Sequence, residues 1–254
     1  MIKPTGKLLT TALSGIIAMT LATPLHAAEL KVIAGGSMTA LLNKLTPAFE
    51  KKTGYKLSIH FDSTPNIITR VNSGTPFDAV VVPFDVFENA AAKARFASEP
   101  IIDIARVGYG VAVRAGAPKP DISTPDGLKK TLLDAKSIAF VPASAAGAYV
   151  TKVFERLGIA EEMKARTKVQ AGPPQIAPAV ARGEAELGVF LTNVLIAPGV
   201  ELAGPFPAEL QQELVFTSAI AADTKEAEAA SAFIDYLKSP AATATIKAGG
   251  MTPG

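Results

Sequence analysis

The sequence has 254 residues and no cysteine, and a chain of this length buries enough apolar surface to fold without disulfides. The absence of cysteine also excludes thiolate metal sites. Its 25 basic and 23 acidic residues give a net charge of +2 without a basic, aromatic-rich stripe, so the composition does not support nucleic-acid binding.

Residues 1–27 have the pattern of a cleavable secretory signal peptide. Lys3 and Lys7 precede an apolar run over residues 8–22, and Ala27 and Ala28 offer small side chains for cleavage. A membrane anchor is the alternative, but this run is shorter than the roughly 20 residues that a spanning helix needs. We therefore predict export to the periplasm as a soluble protein with no membrane span after cleavage. The two lysines account for the whole net charge, so the mature chain is predicted to be neutral.

The chain then alternates between short β-branched runs and longer segments of helical periodicity. This alternation is typical of parallel strands joined by helical crossovers. Strands are predicted at residues 30–34, 56–61 and 79–82, and helices at 37–51, from Pro65 onward and at 84–94. Pro47 lies inside the first helix and predicts a late start, a break or a kink there.

A second series follows the strand predicted at residues 107–113 and a loop rich in proline and glycine at 114–120. Strands are predicted at residues 137–141, 187–191 and 215–222, and helices at 124–133, 145–157, 176–181 and 224–238. Two successive series around one loop favour an α/β protein of two lobes, each a mainly parallel sheet flanked by helices, with a cleft between them.

Four strand-to-helix junctions carry small or hydroxyl-bearing residues. They are residues 35–37, 62–65, 142–147 and 172–176. Ligands of open parallel sheets bind at such junctions, where helix N-termini present free N–H groups. Each junction taken alone is explained by ordinary helix capping and tight turns. Together, on two lobes, they predict a site that surrounds an anion with neutral donors.

Few titratable residues are candidates for chemistry. Arg106 lies near the passage between the lobes and could clamp a carboxylate, or could be an ordinary exposed charge. His60 and Asp62 lie on one face of a strand and form a conceivable acid/base pair, although a lone strand histidine is more often structural. Tyr109 and Tyr149 are further weak candidates. We find no metal-binding, phosphate-binding or nucleophile motif, and predict neither a metal nor a cofactor.

Several segments resemble the periplasmic molybdate-binding proteins of ABC importers. They are residues 32–41, 49–54, 61–64, 78–81 and 182–189, and residues 233–240 are similar to the closing helix of many solute-binding proteins. The resemblance implies a type II periplasmic binding protein. It further implies a first lobe of residues 28–107 plus 223–254 and a second lobe of residues 108–222, a monomer, and an importer permease as partner.

The resemblance also implies the ligand-binding positions. Ser37 and Ser63 match the serines that hold the oxyanion in that family, and Leu191 stands where a tyrosine is expected. The prolines at 173 and 174 lack the N–H groups that the fourth junction should supply, which puts molybdate itself in doubt. The candidate ligand-binding residues are Gly36, Ser37, Met38, Ser63, Thr64, Arg106, Ala145, Ala146, Gly147, Gln175, Ile176 and Leu191.

Residues 103–106 and 111–121 resemble a branch of the same family that includes the aconitate isomerases. That reaction shifts a proton and a double bond between cis- and trans-aconitate, and needs carboxylate-binding donors and an acid/base group without a redox cofactor. Two functions therefore stay open at the level of sequence. One is the binding of a small anion, an oxyanion or a di- or tricarboxylate, for import, and the other is aconitate isomerisation.

Overall fold

A computed structural model of the protein describes residues 29–254, so the predicted signal peptide lies outside the described residues. The chain forms two sheets, one of six strands and one of five, each flanked by helices. The short apolar runs of the sequence are the buried strands of these sheets, and the amphipathic segments pack on them. The two-lobed α/β fold predicted from the sequence is confirmed.

The first lobe is built on the six-stranded sheet, whose order is β11-β4-β10-β3-β1-β2. Its strands are β1 Glu29–Gly35, β2 Lys56–Asp62, β3 Ala79–Pro83, β4 Phe96–Val107, β10 Leu214–Ala221 and β11 Thr252–Pro253. Strand β1 runs parallel to β2 and β3, whereas β10 is antiparallel to both β3 and β4. The carboxyl ends of β1, β2 and β3 therefore lie at one edge, which faces the second lobe.

The second lobe is built on the five-stranded sheet, whose order is β7-β6-β8-β5-β9. Its strands are β5 Tyr109–Arg114, β6 Ile138–Phe140, β7 Thr167–Val169, β8 Leu187–Leu191 and β9 Val200–Pro205. Strand β6 is parallel to β7 and β8, and β5 is antiparallel to β8 and β9.

The helices that flank the sheets alternate with the strands along most of the chain. They are α1 Thr39–Thr53, α2 Thr64–Asn72, α3 Asp85–Glu88, α4 Ala90–Lys93, α5 Pro125–Asp134, α6 Ala145–Arg156, α7 Ala160–Arg166, α8 Ile176–Ala181, α9 Thr192–Leu195, α10 Ala227–Leu237 and α11 Pro240–Ala248. Short 3-10 turns at Gly36–Met38 and Pro173–Gln175 precede α1 and α8. Helix α1 runs without a break from Thr39 through Pro47 to Thr53, so the late start or break predicted at this proline does not occur.

Three sequence-based predictions need correction. The sheets are mixed rather than mainly parallel, because the strands that lead the chain between the lobes pair antiparallel to their neighbours. The helix predicted at residues 84–94 is two short helices, because Asn89 adopts an extended backbone and its side chain caps α4 by accepting from the N–H of Ala92 at 3.0 Å. Strand β10 pairs within the first sheet, whereas the predicted division placed residues 108–222 in the second lobe.

Asp78 is a buried carboxylate at the end of the first sheet opposite the cleft. Its Oδ2 accepts from the Lys31 N–H at 2.7 Å and its Oδ1 accepts from the Thr224 hydroxyl at 2.6 Å. Thr224 follows β10, so the carboxylate ties the returning segment of the chain to β1. Asp78 thus joins two parts of the first lobe that are distant in sequence.

We expect Asp78→Ala to lower the free energy of unfolding by about 3 kcal/mol, because it leaves two donors without the charged acceptor that they bond. Asp78→Asn keeps the shape and should cost roughly half as much. Urea denaturation monitored by circular dichroism measures both variants. An Asp78→Ala midpoint equal to that of the wild type would contradict this role.

Candidate functional site

The four predicted junctions meet at one small cavity between the two lobes, with a volume of about 20 Å³. This volume is room for about one water molecule. The first lobe contributes Gly35, Gly36, Ser37, Asp62, Ser63, Thr64, Pro83, Leu214 and Phe216, and the second lobe contributes Ser144, Ala146 and Pro173. The lobes are therefore closed on each other at the place where the sequence predicted a ligand.

The first-lobe wall of the cavity carries three hydroxyl groups at the carboxyl ends of β1 and β2. Ser37 lies in the 3-10 turn before α1, and Ser63 is the N-cap residue of α2. The Ser63 side chain makes no capping hydrogen bond, so its hydroxyl is available to a ligand. Thr64 begins α2 and is buried. Ser37 and Ser63 thus hold donors that the local fold does not consume.

The second-lobe wall is the N-terminus of α6. The Ser144 hydroxyl accepts from the Gly147 N–H at 3.0 Å and donates to the carbonyl of Val141 at 2.9 Å. The N–H of Ala145 points across the cleft and donates to the Thr64 hydroxyl at 3.2 Å. The positive end of the helix dipole therefore faces the cavity, which favours a negative charge there.

At the fourth junction, the pyrrolidine ring of Pro173 lines the cavity, and no N–H group of this junction is available there. Pro173 and Pro174 have no N–H, and the N–H groups of Gln175 and Ile176 donate to the carbonyls of Gly172 and Pro173. Of these residues only Pro173 lines the cavity, against Gly36. The Gln175 side chain is exposed and that of Ile176 lies in the core.

Two further candidate ligand-binding residues have their side chains in the hydrophobic core. Met38 and Leu191 are fully buried, and neither contributes to the cavity wall. Leu191 ends β8 opposite Tyr109 of β5. The position where the family resemblance leads one to expect a tyrosine therefore supplies packing and no hydroxyl.

Asp62 and His60 form a hydrogen-bonded pair at the edge of the cavity. The His60 Nε2 lies 3.3 Å from the Asp62 Oδ2, and the Asp62 Oδ1 accepts from the Ser63 N–H and from the Asn66 amide at 2.7 and 2.8 Å. Partial burial raises the pKa of the Asp62 carboxyl, but the hydrogen bonds from Asn66, Ser63 and His60 outweigh it and leave the pKa below its usual value. Asp62 is thus an ionised acceptor at neutral pH.

Arg106, Tyr109 and Tyr149 lie away from this cavity. The Arg106 guanidinium bonds Asp103 at 2.7 Å and lines a separate groove of about 390 Å³. The Tyr109 ring packs against the Tyr149 ring at a tilted angle, with centroids 4.8 Å apart, and burial raises the pKa of the Tyr109 hydroxyl far above its usual range. The Tyr149 hydroxyl donates to the carbonyl of Leu210 at 2.9 Å. The two tyrosines pack beside the strands that connect the lobes.

Residues 30–252 match the family model described as bacterial extracellular solute-binding protein. The chain belongs to this family. The family resemblance read from the sequence motifs is thereby confirmed.

Relatives of this solute-binding protein include both an enzyme and binding proteins. The aconitate isomerase of a Pseudomonas species is 33% identical over 242 residues, covering 91% of this chain and 92% of the relative. The molybdate-binding protein of Azotobacter vinelandii is 29% identical over 236 residues, with the same coverage. The solved structure of the periplasmic molybdate-binding protein of A. vinelandii superposes with a TM-score of 0.74 at 24% identity, covering 88% of this chain and 98% of that one. The solved structure supports the fold alone.

Sequence reasoning missed the apolar side of the solute-binding protein's cavity. Pro83, Leu214 and Phe216 line it from β3 and β10. No local signal marks these residues, because they reach the cavity only through the pairing of β10 with β3.

Among the described residues, no helix is both long and apolar enough to span a bilayer.

Proposed function

We propose that this protein binds a small anion in the cavity between its lobes, in the periplasm, as the monomeric solute-binding component of an ABC importer. The observation that supports this best is the meeting of the Ser37 and Ser63 hydroxyls with the N-terminus of α6 at one place. Neutral donors and a helix dipole hold an anion without a fixed counter-charge, so the ligand can also be released.

Binding in this cavity requires that the lobes separate and close again. The cavity of about 20 Å³ holds no more than about one water in the closed form. Hinge closure around a ligand is a common motion of two-lobed proteins. The opened cleft would expose the Ala145 N–H and the Thr64 hydroxyl, which bond each other across the closed cleft, and would add both to the ligand's donors.

We propose that the anion is a carboxylate with a carbon skeleton rather than a tetrahedral oxyanion. Hydroxyls and the helix N-terminus line one part of the cavity, and Pro173, Leu214 and Phe216 line another. An oxyanion presents oxygen on every side and would leave some of its oxygens against apolar atoms, at a cost in desolvation. A di- or tricarboxylate carries carboxylates that the donors can bind and a carbon skeleton that can lie against the apolar part of this wall.

A second candidate function is aconitate isomerisation, favoured by the 33% identity to the Pseudomonas aconitate isomerase over nine tenths of both chains. Asp62 at the cavity edge, bonded to His60, is then the candidate base. A base would take a proton from one carbon of the substrate, the double bond would shift, and the proton would return to another carbon. The proton taken from one carbon is given back to another, so the reaction consumes no second substrate and needs no redox cofactor.

Calorimetry and an ultraviolet assay with the purified protein separate these functions. We expect saturable binding of cis- or trans-aconitate or citrate, and at most weak binding of molybdate, tungstate and sulfate. A change in ultraviolet absorbance on mixing with cis-aconitate would establish turnover, and Asp62→Asn should then abolish it. Saturable binding with a flat trace supports import alone. The absence of binding to any of these anions would contradict both functions.

A further inference from the structure

One short segment of the second lobe docks directly on the first lobe. It consists of α9, Thr192–Leu195, and the following Ile196. The Asn193 Nδ2 donates to the carbonyl of Ser37 at 2.8 Å, and the Thr192 hydroxyl lies 3.5 Å from the carbonyl of Gly250. The Ile196 side chain packs so closely on Gly250 that a Cβ atom there would overlap it. Three contacts, made by Thr192, Asn193 and Ile196, therefore join this segment to the first lobe.

The Asn193 contact stands out because it reaches the backbone of a predicted ligand-binding residue. The carbonyl of Ser37 can only accept, so the Asn193 amide must present its nitrogen to it. Asn193 follows β8 by two residues, and the strand ends in the fully buried Leu191. Since β8 is anchored in the core of the second lobe, Asn193 moves together with that lobe.

The oxygen of the same amide is buried and has no hydrogen-bond partner within residues 29–254. When the lobes close, the Asn193 Nδ2 gains a hydrogen bond to Ser37. The Oδ1 loses its hydrogen bonds to water at the same time, and no donor among the described residues replaces them. An unpaired buried acceptor is unfavourable. The two effects oppose each other, so the contact favours closure only slightly and can open again.

A second hydrogen bond crosses the cleft, between the Ala145 N–H and the Thr64 hydroxyl, but it differs in position. Thr64 lines the cavity, and a ligand that enters would compete for the Thr64 hydroxyl and the Ala145 N–H. Asn193 does not line the cavity. Its bond to Ser37 is therefore compatible with a ligand in the site and can persist when the cavity is filled.

We propose that Asn193 is a positioning residue that latches the second lobe onto the backbone of Ser37. The latch holds the Ser37 peptide in the orientation of the closed cleft, and it needs no ligand to do so because Asn193 does not line the cavity. Closure of the lobes and the geometry of Ser37 are thereby coupled through one side chain. The proposal does not depend on which anion the protein binds.

The absence of cysteine and the exposure of Lys44 on α1 and Lys152 on α6 allow a direct test. Both are replaced by cysteine and labelled with a donor and acceptor pair, and single-molecule energy transfer measures the distance between the lobes without added ligand. In this background, we expect Asn193→Ala to lower the ratio of closed to open molecules about two- to threefold, because the loss of the hydrogen bond is partly offset by the removal of the unpaired Oδ1. Asn193→Asp should open the lobes further, because its carboxylate faces the Ser37 carbonyl without a donor.

The matched control is Asn72→Ala, since the Asn72 amide bonds Asn89 within the first lobe. It should leave the distance distribution unchanged. Thermal melting of each variant separates opening from unfolding, because a latch residue shifts the distances while the variant remains folded. The same distance distribution for the wild type and Asn193→Ala, or a closed Asn193→Asp, would overturn the proposal.

Discussion

Gly147→Ala should be the most destabilising single substitution in the second lobe, with a loss of more than about 4 kcal/mol in the free energy of unfolding. Gly147 is the third residue of α6 and follows the tight turn after β6. A Cβ atom there would overlap the carbonyl oxygen of Val141 and lie 2.7 Å from that of Pro142. Both are backbone atoms, so no side-chain rotation relieves the clash. Insoluble protein, or a urea midpoint far below that of the wild type, is the expected result.

Gly172→Ala is the matched control, because Gly172 lies at another of the four junctions. Its backbone is extended, with φ −170°, and the nearest atom to a Cβ is the Gln175 Oε1 at 3.2 Å. That side chain is exposed and can move, so we expect a cost below about 1 kcal/mol. If Gly147→Ala were equally mild, the close turn between β6 and α6 would not exist as described.

The elements with strong local signals were predicted from the sequence within one or two residues. Helix α8 and strand β8 have the predicted bounds, and Thr124 caps α5 as expected. Strand β4 was missed because it contains charged and polar residues and is defined by its partners, β10 and β11. Pairing between segments that are distant in sequence leaves no periodic pattern, so such strands are not visible locally.

The site divides in the same way into a part that is local in sequence and a part that depends on topology. The hydroxyl residues at strand ends were predicted because helix caps and turns have local signatures. The placement of Arg106 depends on an irregularity in β4, where Ile104 has no partner on β10 between Asp103 and Ala105. Such an extra residue reverses the alternation of the following side chains, so Asp103 and Arg106 can meet on one face. The sequence carries no signal for it.

Ser37→Ala and Ser63→Ala should each weaken the binding of trans-aconitate by about 10- to 100-fold, the usual effect of removing a hydrogen bond to a charged group. The Ser63 hydroxyl caps no helix, so its loss should leave the melting temperature nearly unchanged. The double variant should show no saturable binding in calorimetry. A loss of affinity without a loss of stability is the signature of a hydroxyl that serves a ligand.

Ser144→Ala is the informative comparison, because this serine lines the same cavity but its hydroxyl is already engaged. It caps α6 by accepting from the Gly147 N–H and donates to the carbonyl of Val141. Removing a cap of this kind costs about 1 kcal/mol of stability. We therefore expect Ser144→Ala to lower the melting temperature while changing affinity less than Ser63→Ala does. If Ser37→Ala and Ser63→Ala both kept wild-type affinity, the ligand would bind outside this cavity, and the groove beside Arg106 would become the place to test next.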